Sequence, residues 1–280
     1  MKRDLAPTKD LVSLIVTSRN EREDIENCLR SLLDQDYPNT EVILVDNGST
    51  DGTIEIASRL DVRVENRGPE RSAQRNHGFA VSRGEYVCFL DADMITPPTM
   101  VAECVACMAD PAVGAVVIPE ESFGEGFWTR CKILERSCYP PGSYMEAARF
   151  FRGEVFQQLG GFDENLTGLE DLDLHQRCLD VTRIGHTGTP ISHHEGRIKF
   201  LGQLRKKFRY GRQSFLYAKG HPTAFRKQGN PFRAYFFKGW KILVRNPMLS
   251  FAMLFLKSSE LTAGGIGVTV GWLKCRHRVW

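Results

Sequence analysis

Two hydrophobic rhythms alternate along the first two hundred residues. Short, nearly unbroken apolar runs at residues 11–17 (LVSLIVT), 41–45 (EVILV), 86–90 (YVCFL) and 113–118 (VGAVVI) read as strands buried on both faces. Between them lie stretches of helical period: 21–33, with Ile25, Cys28, Leu29, Leu32 and Leu33 on one face, then about 53–60, 73–81 and 98–108. A short strand is expected at 62–64. The order is β-α-β repeated, which predicts an α/β fold with a mostly parallel sheet flanked by helices. From 123 to 144 the pattern turns irregular and rich in Gly, Pro and aromatics, so loops over a cleft are expected there. Regularity returns with a helix over 154–159 stopped by Gly160 and Gly161, a helix over about 170–181, and a strand at 189–192.

Beyond Gly196 the rhythm changes to basic, aromatic, amphiphilic helical patterns. Residues 196–280 hold 18 Lys and Arg against one Glu, so a net charge of +3 for the whole chain conceals +17 in the tail and −14 in residues 1–195. The tail is therefore expected to face phosphate, on a membrane surface, on a lipid-linked substrate or on nucleic acid. Its longest apolar core, 251–256, is far short of the about 20 residues a spanning helix needs, and Lys257 and Glu260 interrupt the residues after it. An interfacial attachment fits better, with Trp240, Trp272 and Trp280 as anchors at headgroup level. The alternative is a helical layer packed on the protein or at a dimer interface.

The first ten residues, MKRDLAPTKD, lack the apolar stretch of a secretory signal, and the eight cysteines show no disulfide rhythm, so a reduced, cytoplasmic setting is expected. Cys104 and Cys107 have no second pair at metal spacing and sit among apolar neighbours, so they read as buried helix residues rather than a zinc site.

Three Asp-x-Asp triplets occur, where chance gives about one. Asp34 and Asp36 come after a helical pattern and precede a Pro, so a solvated turn explains them. Asp91 and Asp93 instead close the apolar run at 86–90 and are succeeded by Pro97 and Pro98. The carboxyl end of a parallel strand is where ligands bind. Two carboxylates that close repel unless a cation lies between them, so a hard divalent ion is expected there. Asp46 likewise closes a strand, in "VDNGSTDGT", ahead of the capping residues Ser49, Thr50 and Asp51. Together with "TSRNE" at 17–21 and "RSAQRNHG" at 71–78, these acids are expected to converge on one sheet edge able to hold a base, a ribose and a diphosphate.

In order, "VTSRNE", "EVILVDNGSTDGT", "RSAQRNHG", "FLDAD", "LGGFDE" and "LEDLDLHQR" resemble the motif series of glycosyltransferase family 2 over residues 11–195. The resemblance implies a GT-A catalytic domain at 1–195, with a donor half at about 11–95 and an acceptor half at about 96–195, and then the basic helical extension at 196–280. It implies that Thr17, Arg19, Glu21 and Asp46 hold the nucleoside half of a nucleotide sugar, with Arg75 and Asn76 near the donor. Asp91 would contact ribose or metal-bound water, and Asp93 would ligate Mg²⁺ or Mn²⁺ bridging the diphosphate. Asp171 would be the general base toward the acceptor hydroxyl, with Glu170 beside it. Helical spacing puts Asp171, Leu174 and Cys178 on one stripe and sends Asp173 elsewhere. A histidine of "SHHEG", His194 or His193, is expected near the metal, a hydrogen-bonded structural pair being the alternative. Asp163 and Glu164 are further cleft candidates, although a helix-exit turn explains them equally well.

The chain departs from the family pattern in places. "TSRNE" lacks the Pro and aromatic often found before this Asn-Glu, Asn47 stands where a second Asp is common, and no Gln-x-x-Arg-Trp comes after Asp171. The last absence favours transfer of a single sugar over chain synthesis. The expected reaction is inverting, metal-dependent transfer from a nucleotide sugar, with UDP as the first candidate carrier, to an acceptor hydroxyl on a lipid-linked saccharide or glycolipid at the cytoplasmic face of the membrane. Transfer directly to a polyprenyl phosphate is an alternative. A vestigial anionic-surface or nucleic-acid binder has no need for so complete an acid set, and a nucleic-acid partner is not expected. A nucleotidyltransferase would carry a Gly-rich, basic loop after the first strand, which "TSRNERED" is not.

Overall fold

The computed structural model describes residues 3–140, 143, 145–230, 235, 236 and 239–276, with side chains described as far as 274. Trp280, one of the expected anchors, lies outside the described residues. The chain forms two compact units, one made of residues 1–120, 146–164 and 170–194, the other of 121–145, 165–169 and 195–280.

In the first unit the elements are β1 (Thr8–Ser18), α1 (Ile25–Leu33), β2 (Thr40–Asp46), α2 (Thr53–Ala57), β3 (Arg63–Asn66), α3 (Arg71–Val81), β4 (Gly84–Asp91), β5 (Met94–Ile95), α4 (Met100–Cys107) and β6 (Val113–Val117). After the crossing β7 (Glu120–Phe123) and the excursion to α5 (Phe127–Ser137), they continue with β8 (Ala148–Arg152), α6 (Gly153–Gln158), α7 (Glu170–Leu179), β9 (Arg183–His186) and β10 (Ile191–His194). Seven strands form one sheet in the order β3-β2-β1-β4-β8-β6-β9. All neighbours are parallel except β8, which runs antiparallel to both β4 and β6.

Side chains alternate across this sheet, and both faces are covered. Leu14, Val16, Leu44, Cys88 and Leu90 pack with Ile25, Leu29 and Leu32 of α1 and Met100, Val101 and Cys104 of α4. On the other face Ile15, Ile43, Val45, Val87 and Phe89 meet Phe79 of α3, Phe156 of α6 and Leu174 and Cys178 of α7. Burial on both faces is why these strands read as unbroken apolar runs. Cys104 is buried as expected, whereas Cys107 is only half-buried.

The second unit contains α5, α8 (Phe200–Gly220), α9 (Pro222–Gly229), a short helix at Trp240–Arg245 and a thirty-residue helix at Pro247–Arg276. Cys131 and Leu134 of α5 pack against Met253 and Leu256 of the long helix. The expectation of loops across 123–144 is therefore corrected: residues 127–137 are helical. The apolar contacts of Cys131 and Leu134, made far away in sequence, stabilise a helix whose own pattern is weak. The long helix and α8 approach closely at glycines. A Cβ on Gly211 would strike the Gly264 carbonyl, one on Gly267 the Phe208 carbonyl, and one on Gly271 the Arg212 carbonyl.

The unit also buries charge. Lys132 Nζ lies 2.8 Å from Glu135 and 3.8 Å from Glu260, and Lys257 Nζ lies 2.6 Å from Glu135 and 3.8 Å from Glu260. Burial alone would raise the Glu135 carboxyl, but Lys132 and Lys257 hold it well below the usual range. Lys207 is pushed down to about 8 by burial and by Lys132.

Candidate active site

The sheet register sets the level of the site. Thr17 pairs with Asp91 and Ser18 with Asp46, so the ends of β1, β2 and β4 present their polar residues along one edge. Asp46 is fully buried, and its carboxylate accepts from Ser18 Oγ at 2.7 Å, Ser49 N at 2.7 Å and Ser49 Oγ at 2.5 Å. Asn20, held at φ 57°, accepts from Thr50 N and donates its own N–H to Ser49 Oγ. Asn tolerates this left-handed backbone better than most residues. Gln74, from α3, donates to the carbonyls of Ser18 and Val45. These bonds fix the exits of β1 and β2 to one another.

At the end of β4 the structure gathers a dense cluster of charge. Arg75 is fully buried and donates to Asp91 Oδ1 at 2.8 Å and to Asp171 Oδ1 at 2.5 Å, with Glu170 Oε1 3.7 Å away. Phe162 lies under its guanidinium at 5.0 Å. Arg71 reaches Asp91 at 3.7 Å and Glu170 at 3.6 Å. Burial alone would raise the Asp91 carboxyl, but Arg75, Arg71 and Arg149 hold it far below the usual carboxylate range. Glu170 moves the other way, raised by burial and by the neighbouring Asp171. Asp171 keeps 31% of its side chain exposed, so Arg75 orients a carboxylate that is still open to solvent.

Helical spacing placed Asp171 on the stripe that meets this cluster, and it is there. Asp173, expected elsewhere, is buried together with Glu170, Leu174 and Cys178 and is bonded to Arg177, which in turn donates to the carbonyls of Leu159 and Gly161. Asn76 spends its amide on the backbone of Phe162 and on Glu164, tying α3 to the "GGFDE" turn. Arg19 is exposed, and Thr17 Oγ1 is buried without a hydrogen-bond partner. Glu21 is raised to about 7 by burial and by Asp93 and Asp24.

Asp93, just beyond β4, carries the least satisfied acid of the cluster: its Oδ1 is buried and has no hydrogen-bond partner. Its Oδ2 lies 3.3 Å from His193 Nε2, while the His194 ring pairs with Asp24 at 2.6 Å. The antiparallel pairing of β10 with β5, His193 opposite Met94, delivers this choice, which the sequence left open. Burial would lower the His193 imidazole, but Asp93 and Glu120 together push it up to about 10. Among the described residues no three His, Cys, Asp or Glu side chains already converge as a closed metal site. Asp93 and His193 supply two donors, which suits a small divalent cation that takes its remaining ligands from phosphate oxygens and water.

Sequence reasoning missed Arg149, Glu120 and Asp24. Arg149 lies within β8 between buried Ala148 and Phe150, and Glu120 comes soon after the apolar run of β6. A charge inside a strand and an acid just after one are the same signal that singled out Asp91.

A mostly parallel, doubly covered sheet with acids at one edge defines an α/β nucleotide-binding class of GT-A type. The sequence profile described as Glycosyl transferase family 2 matches residues 13–161, and the chain belongs to that family. Over 98 residues it is 39% identical to the glycosyltransferase AglE of Haloferax volcanii, covering 32% of this chain and 32% of that protein. Over 94 residues it is 42% identical to the putative teichuronic acid biosynthesis glycosyltransferase TuaG of Bacillus subtilis, covering 30% of this chain and 36% of that one. The match thus spans about a third of the length of these curated relatives. In fold, the chain is similar to the mannosyltransferase PcManGT of Pyrobaculum calidifontis, solved with GDP-Man and Mn²⁺ (21% identity, TM-score 0.66, 96% of this chain and 90% of that one). It is also similar to S. aureus TarS solved with UDP-GlcNAc (16% identity, TM-score 0.54, 92% and 90%).

Proposed function

We propose that this protein moves a single sugar from a nucleotide sugar to an acceptor hydroxyl, with inversion and with a divalent metal. The observation that carries the reading is the buried Asp93 Oδ1, without a hydrogen-bond partner, 3.3 Å from His193 on its other oxygen and set at the edge where β1, β2 and β4 end. Asp93 and His193 would hold Mg²⁺ or Mn²⁺, which supplies Lewis-acid stabilisation to a departing nucleoside diphosphate. The Mn²⁺ and the GDP or UDP sugars in the similar solved structures support both donor and metal.

Every other part is taken by side chains of this chain. Thr17 Oγ1 and Glu21 face the nucleoside, and Asp46 acts by holding the loop through Ser18 and Ser49. Asn76 acts through the "GGFDE" turn it clips. Asp171, oriented by Arg75, takes the acceptor proton as the hydroxyl attacks the anomeric carbon. Glu170, protonated more readily than a free carboxyl, sits beside it for a sugar hydroxyl.

The catalytic assignment is to residues 1–195, and attachment is assigned to 196–280. Trp240, Val244, Met248, Phe251 and Phe255 are exposed, Met248 at 82% and Phe251 at 77%, with Lys241 and Arg245 exposed among them. The tail's single acid, Glu260, is 3% exposed, so its described surface is basic and apolar. That combination suits an anionic membrane surface at the cytoplasmic leaflet. Among the described residues no helix is long and apolar enough to cross a membrane. A lipid-linked saccharide would then be the acceptor.

The test is release of nucleoside diphosphate from a panel of UDP and GDP sugars with Mg²⁺ or Mn²⁺, with and without a membrane lipid extract. Metal-dependent release that rises with lipid is expected. Absence of release from every donor contradicts the reading.

A further inference from the structure

Glu120 lies outside every motif that led to the site, yet it joins two parts of it. Its Oε2 is 3.3 Å from His193 Nδ1, and its Oε1 accepts from Arg149 Nε at 2.8 Å and Nη2 at 2.6 Å. Arg149 Nη1 in turn points to Asp91 Oδ2 at 3.8 Å. All three side chains are largely buried, at 12% to 15% exposure, so solvent does not loosen the arrangement.

An imidazole has two nitrogens, and a carboxylate at one fixes which of them offers its lone pair. His193 Nδ1 faces Glu120 and Nε2 faces Asp93; a cation that binds at Nε2 displaces the proton there and leaves Nδ1–H to donate to Glu120. A free histidine could flip or rotate. Arg149 keeps Glu120 in place, because its guanidinium holds the carboxylate through two nitrogens.

We infer that Glu120 is the positioning residue of the metal site: braced by Arg149, it locks the His193 ring so that Nε2 faces the cation held by Asp93. The inference rests on reading Asp93 and His193 as the metal's protein ligands. It also explains why an acid should stand beyond the buried run of β6, and why an arginine should sit within β8. Glu120 opens β7 just beyond β6, the neighbour of β8 in the sheet, which brings it to Arg149.

Mn²⁺ titrated into the full chain with UDP or GDP present, monitored by electron paramagnetic resonance, tests this. Wild type should bind Mn²⁺ and show coupling of the metal to an imidazole nitrogen. In Glu120→Gln the affinity should fall about 10- to 100-fold and the nitrogen coupling weaken, with the melting temperature little changed. The double variant with His193→Gln should bind no more weakly than His193→Gln alone, because the two act on one contact. If Glu120→Gln folds poorly, Glu120→Asp keeps the charge beside Arg149 but draws it back from His193, and should weaken Mn²⁺ in the same way. Affinity and coupling equal to wild type in a folded Glu120 variant, or losses that simply add in the double variant, overturn the inference. Failure of wild type itself to bind Mn²⁺ with either nucleotide overturns the metal reading along with it.

Discussion

The protein buries two clusters of charge, one in each unit, and they are built on opposite principles. In the helical unit Glu135 and Glu260 lie within 4 Å of Lys132 and Lys257 on neighbouring helical turns. Glu260 Oε1 accepts from Gln203, and its buried Oε2 makes no hydrogen bond but faces both ammonium groups at 3.8 Å. At the sheet edge of the other unit the arginines are placed so that Asp91 and Asp171 are held by Arg75, while Asp93 Oδ1 is left buried without a partner. A buried carboxylate oxygen without a partner, beside an imidazole on the other oxygen, suits a ligand. Two lysines face Glu260, whereas Asp93 faces one histidine, and that difference in counter-charge sets the two clusters apart.

The sharpest way to tell the two apart is to neutralise one acid in each. Asp171→Asn should lower kcat about 10²- to 10⁴-fold, with nucleotide affinity and melting temperature nearly unchanged, as steady-state kinetics and thermal unfolding would report. Glu135→Ala should do the reverse. It removes the carboxylate that Lys132 and Lys257 share, costing about 3–5 kcal/mol of stability in denaturant unfolding while leaving nucleotide binding by the folded fraction intact. If Glu135→Ala abolished transfer without loss of stability, the distinction between the clusters would fail.

A smaller effect probes the helical unit through its backbone. Gly267→Val drives a side chain into the Phe208 carbonyl and should cost about 1–3 kcal/mol, again without a change in nucleotide affinity. The smallest concerns acid. His175 Nδ1 accepts from the Ala148 N–H, and burial, with His186 nearby, lowers the imidazole to about 4. The unfolded chain takes up this proton at about 6.5, so it binds more protons than the folded chain below that pH. Stability should therefore be unaffected above about pH 6.5 and fall by about 2 kcal/mol, allowing for partial exposure, as pH drops from about 6.5 to about 4. His175→Gln should flatten that part of the pH–stability curve measured by thermal unfolding.

Strands β1, β2, β4 and β6 are legible because burial on both faces leaves them as unbroken apolar runs, and the acids ending β2 and β4 stand out against them. What is not legible depends on distant partners. Strand β8 carries Arg149 and Arg152 and looks half polar, because those arginines are satisfied by Glu120 and by carbonyls of residues 108–113. Helix α5 reads as loop, because its buried face is completed by residues far along the chain such as Met253 and Leu256. The choice between His193 and His194 requires the pairing of β10 with β5, which no local pattern encodes. Asp46 and Asn76 stand out in the sequence as candidates, but it does not reveal that Asp46 is engaged by Ser18 and Ser49 or that Asn76 is engaged by the distant turn at Phe162 and Glu164.

The proposed function stands on reading the unpartnered oxygen of Asp93 as a ligand of the metal that carries the diphosphate. Calorimetric titration of UDP and GDP into wild type and Asp93→Ala, each with Mn²⁺ and with EDTA, tests it most directly. At least one nucleotide should bind wild type with Mn²⁺, and binding should fall at least about tenfold both with EDTA and in Asp93→Ala. Equal affinity in all four conditions would contradict it.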